Sequence, residues 1–176
     1  MKQFLIIIGL FSMLACSNPS PSISPTKIQF DGETFELPIK VETAQKVLRI
    51  RYMAFFGFLK HEKAEDPFLL AQLEGRPMIQ GDDDETEQSY SDQSFVGISF
   101  LQNADSYSTK EAELEKQYGK KFIKKVGYSY FETEDGLIIA IKHNVMASTP
   151  KKYISISFYK GISSNELEDY LSYVMY

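Results

Sequence analysis

Apolar and polar positions alternate as soon as the chain leaves its first two dozen residues. Ile28 and Phe30 flank Gln29, Asp31 and Gly32 make a turn pair, and Phe35 and Leu37 resume the alternation until Pro38. That pattern predicts a hairpin over residues 27–38. Over residues 47–59, Leu48, Ile50 and Tyr52 alternate with Arg49 and Arg51, and the chain from Met53 onward is apolar throughout. The alternation favours a strand, although a helix begun at Glu42 competes on propensity. Asp66 and Pro67, then Phe68, Leu69, Leu70, Leu73 and Gly75, carry the cap, first-turn and stop signals of a short helix.

The second half reads as a regular succession. Phe95, Gly97, Ser99 and Leu101 are expected to face one way, and Val96, Ile98 and Phe100 the other, in one strand. Ser108 and Glu111 open a helix that Gly119 ends, with Ala112, Leu114, Tyr118 and Phe122 as its apolar contacts. Residues 126–133 and 137–145 form a hairpin around Gly136, and residues 153–159 the next strand. Ser164 caps a final helix whose Leu167, Tyr170, Leu171 and Val174 recur at helical spacing. Strand, helix, three antiparallel strands, helix: this order predicts a single α+β domain, an antiparallel sheet with helices packed on one face. The element order, with Tyr118-Gly119-Lys120 leading into an aromatic strand, resembles small exported domains of the PsbP or Mog1 type. That resemblance implies a fold and no activity.

Before the domain, the pattern changes. Lys2 precedes an uncharged apolar run, residues 4–14, broken only by Gly9 and Ser12. A membrane-spanning helix needs roughly 20 apolar residues, so this run fits the core of a secretory signal instead. It ends Met13-Leu14-Ala15-Cys16-Ser17. That ending resembles the lipobox of bacterial lipoproteins, although Met13 replaces the usual Leu and Leu14 is bulkier than is common. The resemblance implies removal of residues 1–15 as a signal peptide, acylation of Cys16, and a mature chain held on its membrane by lipid. Cys16 is the chain's one cysteine, so no intramolecular disulfide forms. Residues 17–26 read SNPSPSISPT, too rich in Pro and Ser for helix or central strand. They form a tether that reaches about 30 Å when extended. The domain then covers residues 27–176. Ser17 resembles the residue that sends lipoproteins to the outer membrane, which implies a periplasm-facing position there.

Composition narrows the function. The formal charge of −5 becomes −6 once Lys2 is removed. Such a balance disfavours nucleic acid as a partner and additional electrostatic attachment to anionic lipid. Thirteen Phe and eleven Tyr, with no Trp, make the chain unusually aromatic. Tyr combines contact area with a hydroxyl. The candidate contact surface is therefore the edge or face of the C-terminal sheet carrying Tyr128, Tyr130, Tyr153 and Tyr159, although each ring taken alone also fits an ordinary core position.

Catalytic signals are sparse. Asp82, Asp84 and Thr86 have the alternate spacing of a calcium loop. Glu87 and Gln93 stand where such a loop needs Gly and a bidentate Glu, so the stretch reads as a solvated acidic loop. His61 and His143 lie far apart with no cysteine beside them, and no metal site is expected. No Gly-x-Ser-x-Gly or Ser-x-x-Lys motif occurs. No cofactor is implied. The reading that follows is a non-catalytic binding or assembly module of the cell envelope, with an envelope protein or apolar ligand as partner. The alternative is a small periplasmic enzyme.

Overall fold

The computed structural model describes residues 26–53, 57–60, 69–75, 90–145 and 153–174. Cys16, most of the tether, His61, Asp66 to Phe68 and the acidic residues 82–87 lie outside them. Strands β1 (Thr26–Phe30) and β2 (Glu33–Leu37) form the expected hairpin. Asp31 and Gly32 both take positive φ, 50° and 81°. That pair matches the twist of the flanking strands. Ile28, Phe30, Phe35 and Leu37 are buried, and the residues between them are not.

The next stretch divides where one strand was favoured. A short strand β3 (Ile39–Lys40) leads into helix α1 (Val41–Leu48), which buries Val41, Ala44 and Leu48. Arg49 closes it in the left-handed conformation, φ 56°. Only then do strands β4 (Arg51–Met53) and β5 (Gly57–Lys60) begin. Leu48 therefore belongs to a helical face, and its alternation with Ile50 is coincidental.

The helix expected over residues 66–75 is corrected. Leu69–Leu73 is a strand, β6, buried at all five positions. It pairs with β5 on one side and, on the other, with the long strand β7 (Ser94–Asn103). A strand covered on both faces shows a continuous apolar run, which periodicity cannot separate from a buried helix. Gly75 stops the element as expected, with φ 67°.

Strand β7 is followed by a 3-10 turn (Ala104–Ser106) and helix α2 (Tyr107–Tyr118), which Gly119 ends at φ 65°. Leu114 is buried, but Ala112 is exposed. Then come β8 (Ile123–Lys124), β9 (Tyr128–Glu132), β10 (Leu137–Val145), β11 (Tyr153–Lys160) and helix α3 (Leu167–Ser172). The short β8 was not foreseen. Ser164 does not cap α3. The cap position is Glu166, whose carboxylate accepts the backbone N–H and hydroxyl of Ser163, at 2.8 and 2.7 Å.

These strands make one antiparallel sheet in the order β4-β5-β6-β7-β11-β10-β9-β8, with β3 also on β7. The molecule is thus an α+β domain dominated by its sheet. Gln72 pairs with Gly97 but Leu73 with Phe95, so Val96 is an extra residue on β7. This bulge reverses the expected faces. Phe95 joins Ile98 and Phe100 in the main core, and Val96 turns to the other side.

The main core lies between the sheet and the β1–β2 hairpin, α1 and α2. Phe30 and Phe35 of the hairpin meet Phe100 and Phe158 of the sheet, with ring centroids 4.9 to 6.0 Å apart. Each such ring contributes about 1.5–3 kcal/mol by burial. Along β10, Leu137, Ile139 and Ile141 join this core, whereas Ile138 and Ala140 join a second one with Leu167, Tyr170 and Leu171 of α3. Successive strand residues point to opposite faces. Helices therefore cover both faces: α1 and α2 one, α3 the other. The expectation of helices on a single face is corrected on this point.

Candidate functional site

All four candidate tyrosines fall on the α3 face, because Tyr128 and Tyr130 oppose Lys142 and Ala140 across β9 and β10, and Tyr159 opposes Ile138. Their exposures differ. Tyr159 is fully buried and is withdrawn from the contact surface. Tyr153 is half-buried against Leu59, Leu70, Leu101 and Val174. Tyr128 and Tyr130 are half-buried at the edge of the second core, their rings 6.1 Å apart. Burial, then the charge of Glu168 on α3, raises the Tyr128 phenol above its ordinary pKa. Of the four, Tyr128, Tyr130 and Tyr153 keep part of their surface exposed, and Tyr128 and Tyr130 lie side by side.

Tyr159 instead anchors α3. Its hydroxyl donates to Gln72 Oε1 at 2.8 Å, and Gln72 Nε2 donates to the Tyr170 carbonyl at 2.9 Å. Tyr170 in turn accepts the Gly75 N–H at 3.0 Å, and its ring meets that of Tyr159 at 5.6 Å. Beneath them Ser99 and Ser157 share a buried hydrogen bond of 2.8 Å. Lys142 Nζ donates to the Leu171 carbonyl at 2.6 Å, near the helix end where a cation is favoured. Burial pushes the Tyr159 phenol up to about 12. Its proton therefore stays in place at any physiological pH. This is a structural polar network, with each group given a partner as burial requires.

A second cluster, around His143, was missed from sequence. The ring of His143, on β10, lies 4.3 Å from that of Tyr107, the first residue of α2. Lys124 of β8 donates to the Tyr107 hydroxyl at 3.1 Å and pairs with Glu111. Burial, and then Lys124, lowers the His143 pKa. No sequence motif joins these four; three elements bring them together. Lys124 is held by Glu111, so the arrangement is an ion pair beside a histidine that favours its neutral form. Among the described residues no group of three or more His, Cys, Asp or Glu could hold a metal.

A third cluster ties the domain's entry to the sheet. Asp135, in the β9–β10 turn, accepts from Thr133 at 2.5 Å and from Thr26 at 2.7 Å, and pairs with the buried Lys160 at 3.3 Å. The Thr133 and Thr26 hydroxyls, with Lys160, lower the Asp135 carboxyl to about 2. Thr26 is the last residue of the Pro/Ser-rich segment, so this cluster fixes where that segment meets the domain.

No family model, curated protein or solved structure matches the chain.

Proposed function

We propose that the protein is a membrane-anchored bacterial lipoprotein whose domain is a non-catalytic binding or assembly module of the cell envelope. The observation that carries this is the passage from Lys2 and a short apolar run to Ala15-Cys16, then through a Pro/Ser segment into a domain whose first described strand begins at Thr26. Cys16 takes the lipid, and Ser17 directs the protein to the periplasmic side of an outer membrane. Two acyl chains hold far more firmly than one. No helix among the described residues is long and apolar enough to cross a membrane, and the lipid meets that need. The tether leaves the domain free to reorient within about 30 Å of the bilayer. An envelope protein or apolar ligand docks at the edge of the α3 face, on Tyr128 and Tyr130, half-buried rings that keep area and hydroxyl available.

The test is metabolic labelling with palmitate. Wild type takes label and sediments with membranes, and Cys16→Ser takes none. Equal labelling of the two removes the proposal.

A further inference from the structure

The chain is acidic, yet its charge is unevenly placed. Residues 116–127 hold Lys116, Lys120, Lys121, Lys124 and Lys125 and no acidic residue, so the remainder carries a net charge of −10 against −5 for the whole. This segment runs from the last turn of α2 through β8 to the start of β9. Lys121 pairs with Glu115 and Lys124 with Glu111. Lys116, Lys120 and Lys125 make no ion pair among the described residues, and Lys116 and Lys125 are exposed. The same segment holds two exposed aliphatic side chains, Ile123 at 52% and Val126 at 100% exposure. Ile123 opposes Tyr130 across the edge of the sheet, so it continues the half-buried strip of Tyr128 and Tyr130. Lysines around protruding aliphatic residues suit a surface that is negative outside and oily beneath.

We infer that the edge formed by residues 116–127 is a second, electrostatic contact with an anionic phospholipid surface, made by Lys116, Lys120 and Lys125 with Val126 and Ile123 inserting between headgroups. This rests on the reading of Cys16 as the lipid anchor, because placement decides between a membrane and an acidic protein. Thr26 bonds Asp135, and Tyr118 lies near enough to Asp135 to feel its charge. The end of α2 therefore borders the point where the tether joins. Val126 lies at the other end of β9, a five-residue strand of roughly 17 Å, and the tether's reach of about 30 Å spans that distance. An anchor already in the bilayer raises the effective concentration of the surface, so a few weak contacts suffice. The overall negative charge, which disfavours lipid for the chain as a whole, instead fixes which side turns toward it.

The chain has no Trp, so Val126→Trp installs a single fluorescent reporter on a fully exposed side chain. The full-length protein is reconstituted into phosphatidylcholine vesicles with and without phosphatidylglycerol. Expected is a blue-shifted emission, quenched by brominated acyl chains, only with phosphatidylglycerol, and reversed by high salt. Adding Lys116→Gln, Lys120→Gln and Lys125→Gln weakens contact about 100-fold, roughly fivefold per lysine. Identical emission in both vesicle types overturns the inference. So does a response to polyglutamate without one to phosphatidylglycerol, which would assign the edge to an acidic protein. Should Cys16 carry no lipid, the same comparison is made with protein added from solution. Salt-sensitive binding then supports the edge while the anchor fails, and its absence overturns the edge.

Discussion

Gly97 lies beneath the ring of Tyr159, and a Cβ there would stand 2.5 and 2.6 Å from two ring carbons. Atoms cannot approach so closely, so Gly97→Ala must displace the ring. Tyr159 cannot move freely, because its hydroxyl is bound to Gln72 and its ring packs on Tyr170. Overpacking of this kind costs about 1–3 kcal/mol. Replacing a strand glycine returns roughly 0.5–1 kcal/mol through chain entropy, leaving a net loss of about 1–2 kcal/mol. For a chain of this size that lowers the Tm by ~2–8 °C. Tyr159→Leu alone empties core volume and costs about 2–4 kcal/mol. The double variant should cost about 1–2 kcal/mol less than the sum, since the added methyl then occupies vacated space. Urea unfolding of wild type, both single variants and the double variant gives the cycle. If Gly97→Ala is neutral, or the two changes add within about 0.5 kcal/mol, then Tyr159 does not pin α3 to the sheet as described.

Asp135 supplies a pH prediction. Its carboxyl is lowered from 3.8 to about 2 in the folded state, so its contribution is complete above the unfolded value and is lost as pH falls through 2. The carboxylate is half exposed, which limits the effect to under ~1 kcal/mol; Asp135→Asn should flatten acid unfolding between these pH values, and an unchanged acid limb would contradict the cluster. His143 should titrate below 6.5 by NMR, and Lys124→Ala should move its midpoint upward by removing a neighbouring cation; a midpoint that stays put would deny the contact. Because burial depresses the His143 pKa, the stability it contributes is lost as pH falls below 6.5. Tyr128→Ser with Tyr130→Ser should reduce recovery of partners from membranes and cost only about 1–2 kcal/mol, as both rings are half-buried; a loss of several kcal/mol, the cost of emptied core positions, would make them structural.

Local signals were legible wherever one face of an element is wet. The β1–β2 hairpin shows this, because Lys27, Gln29, Thr34 and Glu36 alternate with buried residues and Asp31 and Gly32 fit only one kind of turn. Strands covered on both faces were harder. Leu69–Leu73 passed for a helix, and nothing in the apolar run from Leu137 to Ile141 reveals which face α3 will cover. Ser155 and Ser157, polar residues on the same side of β11 as Tyr159, carry no sign that this side is covered. Both are buried under α3, and Ser157 is satisfied by Ser99, a partner 58 residues away. The bulge at Val96 depends on where β6 pairs, which no pattern within β7 encodes. The His143 cluster was hidden for a related reason: its members come from α2, β8 and β10, and proximity across elements leaves no spacing to read.

The anchor remains the claim on which the rest depends, and the intact mass of the protein extracted from its native membrane tests it most directly. Expected is a chain that begins at Cys16, lacks residues 1–15, and carries the added mass of acyl chains released by alkaline hydrolysis. A chain that retains Met1, or one cleaved elsewhere with Cys16 as a free thiol, would contradict it.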